Sequence, residues 1–523
     1  VTRYTKGIEV SHGALESPAL RLTTLGYAQG SAAGTKESST MARRLRRGNV
    51  ASRLGLLTAL GAAGVTMAFT IPASGSPSTV ASSPSGPVAT ALGPITPSAP
   101  IKHVVIVYQE NHTFDNVLGK LCVTDHRCDG ATSATLTDGS TYQLKQAADK
   151  IPNVSHSTGS QQKAIDGGRM DGFDRIPGCG AAYACLTQFD PTQIPNLAAL
   201  ARQYTISDRT FQMDRVLSWG AHLELVTTSL DGFGGEIPRP VTYAPKSPSH
   251  DWGCNGTQVT GWRPSPSAAE QLVPACVPDP GGTGTFWDKF GPNGHPQASP
   301  VATVPTVLDT LNQAGRTWGM YVNQPGFDIC SYVAKCHESS QQQTNVVPTP
   351  QILDDAKNGK LPDLSIVLPS GPNGNTSQHN QTSMAQGDNW IGQLVSALQK
   401  GPEWDSTAVF ITYDDCGCFY DHVAPPTAQW GLRMPMVIVS PYARAGQTDS
   451  NPTSFVGMVT FVEHLFGLTP LTAADRDSYD YAGSFDFTQA PKPAAFAAAT
   501  TSISAAEARQ LAKDPWISDN DPT

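Results

Sequence analysis

Two polar pairs end two strand-like runs that lie far apart in the chain. Glu110-Asn111 closes Ile101-Lys102-His103-Val104-Val105-Ile106-Val107-Tyr108-Gln109, and Asp414-Asp415 closes Ala408-Val409-Phe410-Ile411-Thr412-Tyr413. Runs this apolar read as buried strands of a parallel sheet. In open α/β sheets, ligand sites gather where such strands end. Taken alone, each pair also reads as a turn or a helix cap. Taken together they are three carboxylates and an amide at one sheet edge, which repel unless a cation sits among them. The chain therefore reads first as a metal-dependent hydrolase.

The chain has 523 residues, enough to bury a large core, and its 42 prolines and 48 glycines call for long ordered loops on a scaffold. Its net charge of −9 argues against non-specific nucleic-acid binding. Residues 1–40 look like an over-extended, disordered start. Residues 41–75 have the pattern of a signal peptide: basic Arg43, Arg44, Arg46 and Arg47 after Met41, an apolar stretch from Leu54 to Thr70, then small residues. The competing reading is an uncleaved anchor, because the apolar stretch approaches spanning length. Residues 76–100 form a Ser/Pro/Ala-rich linker. Residues 1–75 hold nine Lys/Arg and three Asp/Glu; without them 26 basic and 41 acidic residues leave a net charge of −15. A secreted or cell-envelope location is expected.

Ten cysteines agree with export and fall into neighbouring pairs: Cys122/Cys128, Cys179/Cys185, Cys254/Cys276, Cys330/Cys336 and Cys416/Cys418. Locally paired cysteines behind a signal sequence are expected to form disulfides. A bridge between Cys416 and Cys418 would be strained, but it would stiffen the turn after the Asp pair. Redox or metal roles are the alternative there.

One large domain is expected over 101–490, with a loop-rich insertion at about 232–300 and a tail over 491–523. Strand-like and helix-like runs alternate, as in a mostly parallel sheet covered on both faces. Helices are expected over Ile194 to Tyr204, Val304 to Ala314, Asn389 to Gln399 and Phe455 to Leu468. Short strands are expected at Thr205-Ile206-Ser207, Thr317 to Val322, Leu364 to Leu368 and Met436 to Val439. The tail reads as a loosely held helix.

The segment Gln109-Glu110-Asn111-His112-Thr113-Phe114-Asp115 resembles the QENRSFD signature of the bacterial phosphoesterase family, which holds non-specific phospholipases C and related acid phosphatases. The run from Thr412 to Val423 resembles that family's TWDEGGGFFDHV segment, and Asp166 to Phe173 its NGGKMDGF run. Further landmarks follow in family order at Leu361-Pro362-Asp363-Leu364-Ser365, Trp404-Asp405-Ser406-Thr407 and Phe485-Asp486-Phe487. The resemblance implies an alkaline-phosphatase-like, three-layer α/β/α sandwich. It implies metal ligands at Glu110, Asn111, Asp414 and Asp415, and a nucleophile, itself a metal ligand, at Ser218. The sequence departs from the pattern here: Gly220-Ala221-His222 replaces the Pro-Asn-Arg of the GPTxPNR segment, and Ser229 is a distant fallback. Catalytic histidines are implied at His156, His337 and His379, although the flank of His337 departs from the expected HNP. His422 is a landmark as well, but a buried His–Asp pair often only holds a loop.

The chemistry suits these groups. A serine hydroxyl is a poor nucleophile until activated, and a divalent cation neutralises charge on phosphoryl oxygens. Oxygen ligands favour Ca, Mg or Mn, and added histidine favours Zn or Fe. The expected substrate is a phosphate ester, with phospholipid at a membrane surface as one candidate docked through Trp252, Trp262, Phe286 and Trp287. Nothing calls for an obligate protein partner. Three alternatives stand beside a phospholipase C. One is a broad-specificity acid phosphatase. A sulfatase is disfavoured, because Ser218-Trp219-Gly220-Ala221-His222 lacks the Pro and Arg such enzymes need. The last is an inactive, secreted surface-binding protein.

Overall fold

The computed structural model describes residues 93–240, 253–255, 258–277, 299–301, 303–323, 326–370, 376–511 and 513. The expected signal peptide, the linker up to residue 92, Trp252, Phe286 and Trp287 lie outside them. No helix of the described residues is long and apolar enough to cross a membrane.

Among the described residues, eight strands build the central sheet: β1 (His103–Gln109), β2 (Thr205–Ser207), β3 (Trp318–Tyr321), β4 (Val346–Val347), β5 (Leu364–Val367), β6 (Thr407–Tyr413), β7 (Met436–Val439) and β8 (Thr448–Asp449). Their order is β4-β3-β5-β1-β6-β7-β2-β8. All run parallel except β7, which is antiparallel to both neighbours. The continuous apolar runs have the expected cause, since both faces of the sheet are covered. Alternate residues serve opposite faces. Val105, Val107, Val409 and Ile411 point to one core, while Val104, Ile106, Ala408 and Phe410 point to the other.

Six helices matter for the site and its support: α1 (Thr158–Ile165), α2 (Pro195–Gln203), α3 (Ser218–Thr227), α4 (Gln351–Asn358), α5 (Met384–Lys400) and α6 (Gly457–Phe466). Leu197 of α2, Ile352 of α4 and Leu394 of α5 pack in the first core. Leu223 of α3 and Phe461 of α6 pack in the second. This is the three-layer α/β/α sandwich with a mostly parallel sheet. Helix α5 starts earlier than Asn389, because Ser383 caps it by accepting the Gln386 N–H.

The described part of the expected insertion is less loop-like than its glycines and prolines imply. Arg239–Pro240, Gln258–Trp262 and Gln271–Pro274 pair as a small antiparallel sheet. Four of the five expected disulfides are present: Cys122–Cys128, Cys179–Cys185, Cys254–Cys276 and Cys330–Cys336. The fifth expectation needs correction. Cys416 and Cys418 are buried thiols with sulfurs 2.6 Å apart. A single intervening residue is a poor span for disulfide geometry. The tail also differs from a loose helix. Among its described residues only Ala505–Leu511 is helical; before it, Phe496 is buried in the core, and the N–H groups of Ala499 and Thr501 donate to Asn196 and Asn389.

Candidate active site

The parallel register sets Gln109 beside Tyr413, so β1 and β6 release their polar pairs side by side. Asn111 adopts a left-handed backbone, φ 59°, which asparagine tolerates better than most residues. Its N–H donates to Asp414 Oδ1 at 3.1 Å, and the Asp415 N–H donates to the same oxygen at 2.7 Å. Asp415 Oδ1 accepts the Gly417 N–H at 2.8 Å. Gly417 has φ +46°, and a Cβ there would lie 2.2 Å from the Asn111 carbonyl oxygen. Only glycine fits both the turn and the close approach.

Ser218 is the first residue of α3 and is fully buried. Its hydroxyl faces two acceptors, Asp415 Oδ2 at 3.0 Å and Asn111 Oδ1 at 3.2 Å. The positive end of the α3 dipole lies at this hydroxyl, where an anion is favoured. Glu110, Asn111, Asp414 and Asp415 are all buried to 2% exposure or less. Five sequence-predicted residues thus converge at one edge of the sheet.

His156 joins them. Its Nδ1–H donates to the Val154 carbonyl at 3.1 Å, which leaves Nε2 to accept from Asn111 Nδ2 at 3.3 Å. The same Nε2 is 4.0 Å from Asp415 Oδ2. Gln161 ties this loop to the one that carries Ser218, donating to the carbonyls of His156 (3.2 Å) and Val216 (2.8 Å). The His379 ring lies 6.4 Å from the His156 ring and donates from Nδ1 to the Asn380 carbonyl at 2.8 Å. Its segment is held to the end of β1. Gln109 Oε1 accepts the Gln378 N–H, and the His112 ring meets the Gln378 carbonyl at 2.8 Å. Burial lowers the His112 imidazole to about 4, against the pull of these hydrogen bonds, so it is a neutral brace at pH 7.

His337 shows no hydrogen bond or ion pair to this cluster among the described residues. It ends the short helix Ala334–His337, one residue beyond Cys336 of the Cys330–Cys336 disulfide, and its Nδ1 is buried without a hydrogen-bond partner. His422 pairs with Asp115 and, at 2.9 Å, with Asp129. Beside it, fully buried Arg433 bonds Asp421 and Asp115. With Arg209, which pairs with Asp129 at 2.7 Å, the set holds three cationic side chains and three carboxylates, and it joins the loop after β1 to the loop after β6.

One residue of the cluster was missed by sequence reasoning. His222 Nε2 lies 3.6 Å from Asp414 Oδ2, and a ligand atom each from Glu110, His222 and Asp414 fall within 4.8 Å of one another. The available signal was spacing: His222 is four residues after Ser218, hence on the same helical face.

A groove of about 580 Å³ flanks this region and is lined by Thr158, Arg215, Val216, Phe233 and Trp262 among others. Thr158 and Val216 are each two residues from a cluster member, His156 and Ser218. Thr158 Oγ1 donates to the Arg215 carbonyl at 2.8 Å, joining two of the residues that line the groove.

The phosphoesterase family profile matches residues 101–469. Non-specific phospholipase C1 of Arabidopsis thaliana is 23% identical over 442 residues, covering 74% of this chain and 70% of that protein. Non-hemolytic phospholipase C of Burkholderia pseudomallei (strain K96243) is 24% identical over 434 residues, covering 70% of this chain and 55% of that protein. Among solved structures, murine ectonucleotide pyrophosphatase / phosphodiesterase 5 aligns at 10% identity with a TM-score of 0.36, covering 73% of this chain and 100% of that one.

Proposed function

This chain belongs to the phosphoesterase family, and from that premise we propose an exported, metal-dependent phosphoric ester hydrolase of the phospholipase C kind, with Ser218 as nucleophile. That it is a hydrolase acting on phosphoric ester bonds follows from the family and from its phospholipase C relatives. The observation that carries the mechanism is the Ser218 hydroxyl, 3.0 Å from Asp415 and 3.2 Å from Asn111 at a helix N-terminus.

The donor set fits a divalent cation. Asp414 Oδ2 is buried without a hydrogen-bond partner, in a cluster whose other carboxylates are equally excluded from water. Such burial is costly unless a positive charge answers it. Glu110, Asn111, Asp414 and Asp415, with Ser218, would hold the ion. When bound, it supplies charge neutralisation and a lowered pKa at a coordinated oxygen.

The chain's own groups account for the rest. Ser218 Oγ bonds to phosphorus as the ester P–O bond breaks; its proton passes to Asp415 Oδ2, the acceptor it already faces, and the departing alkoxide takes a proton from the imidazolium of His379. The helix dipole of α3 favours the phosphoryl charge at that point. Water then opens the phosphoserine: His156 Nε2 takes the water's proton, Asp415 returns its proton to Ser218 Oγ as the Oγ–P bond breaks, and exchange with solvent resets His156 and His379. The groove past Val216 takes the alcohol side of the ester, where Trp262 and Phe233 offer apolar walls and Arg215 a charge. This reading gives no step to His337.

The test is turnover of p-nitrophenylphosphorylcholine and of p-nitrophenyl phosphate, with and without chelator. We expect chelator-sensitive activity on the first, and Ser218→Ala to lower it on the order of 10³-fold or more. Full turnover by Ser218→Ala overturns the nucleophile. Activity on the monoester alone replaces phospholipase C with acid phosphatase.

A further inference from the structure

The geometry points to His222 as a ligand of the same cation, giving the site a preference for Zn²⁺ over Mg²⁺ and Ca²⁺. The inference rests on the metal reading above and goes beyond it, because His222 stands where this chain departs from its family's Pro-Asn-Arg pattern.

Three observations support it. First, His222 Nε2 is 98% buried by residue exposure and has no hydrogen-bond partner, and the facing Asp414 Oδ2, 3.6 Å away, has none either. That separation is too long for a hydrogen bond, so two buried polar atoms point at each other without satisfying each other. Each such atom costs about 1–3 kcal/mol if left that way. Second, Glu110 brings a carboxylate oxygen to the same point, and the three ligand atoms lie within 4.8 Å of one another. Two carboxylates and an imidazole around one point are a donor set of the kind that zinc sites use. Third, the ring is oriented rather than merely enclosed. Tyr108 packs on it edge-on with centroids 4.9 Å apart, and Phe327 does so at 5.0 Å. Tyr108 is the penultimate residue of β1, two before Glu110, so the strand that delivers the carboxylate also aims the imidazole.

An all-oxygen site would suit Mg²⁺ or Ca²⁺, whereas imidazole shifts selectivity toward Zn²⁺ and Fe²⁺. The bland alternative is an imidazole that only packs against Tyr108 and Phe327, with no nitrogen bound to metal.

The test uses the full chain, stripped by chelator and titrated calorimetrically with Zn²⁺, Mg²⁺ and Ca²⁺ separately, as wild type, His222→Gln, His222→Asn and Asp415→Asn. Zinc-edge X-ray absorption is recorded on the Zn²⁺-loaded wild type and needs no variant to fold. The expected results are imidazole scattering in the wild type and a loss of Zn²⁺ affinity of about 100-fold or more in either His222 variant. Mg²⁺ affinity should change by less than about 3-fold, since oxygen donors carry it. Zn²⁺ bound without imidazole scattering, or bound by the His222 variants as by wild type, overturns His222 as a ligand and leaves the oxygen site standing. No divalent cation bound by wild type, matched by Asp415→Asn, overturns the metal reading itself.

Discussion

At the scale of single residues, the buried charges outside the catalytic cluster carry the clearest consequences. Arg433 is fully buried between Asp115 and Asp421. Removing one partner of such a set leaves the others uncompensated, so Arg433→Ala should destabilise by about 3–5 kcal/mol, read as a lowered denaturant midpoint. His422 gives a pH signature. Burial works against its charge, but the hydrogen bond and charge of Asp115 outweigh burial and push the imidazole up to about 9, from 6.5. A raised histidine stabilises fully below its unfolded value and loses that stabilisation as pH rises through the folded one. Stability should therefore decline from about pH 6.5 to pH 9, and His422→Gln should flatten that decline in a series of thermal melts. The residues of the cluster were legible because strand ends announce them and a family pattern repeats them. His222 was not, because it replaces an arginine of that pattern, and only a helix starting at Ser218 turns it inward.

At the scale of elements, the turn after β6 is the most demanding piece. It must return Asp415 toward Ser218 while passing under Asn111, and Gly417 makes this possible. Gly417→Ala would force either the Asn111 loop or the Asp415 carboxylate to move. We expect the variant to keep its far-ultraviolet circular dichroism but lose most activity, on the order of 10²-fold, as misplacement near 1 Å does elsewhere. Unchanged kcat would show that the turn has slack. The long apolar runs of β1 and β6 made the sheet readable in advance, since a run buried on both faces leaves little else to be. The start of α5 was not readable: Gly387 and Asp388 look like loop residues. Gly387 packs close to Gln378, and Asp388 accepts the N–H groups of Asn196 and Leu197 at the start of α2. These are tertiary reasons that no local pattern displays.

At the scale of the whole molecule, β7 reverses direction within an otherwise parallel sheet, and the segments after it return to finish the structure. Phe485 is buried and bridges Ala443, and the stretch from Phe496 to Thr501 is bonded to α2 and α5. Ending the chain after residue 490 should cost on the order of 3 kcal/mol, from one buried aromatic side chain and its neighbouring hydrogen bonds, measured as a fall in Tm. An unchanged Tm would show that the tail is dispensable. The tail was misread beforehand because its alanines favour helix, whereas its backbone is claimed by asparagines from two other helices. The match to the family profile ends at residue 469, but cooperative packing does not. Anyone trimming the gene to the recognisable region would express a protein with an open flank, prone to stick to its neighbours before it ever met a substrate.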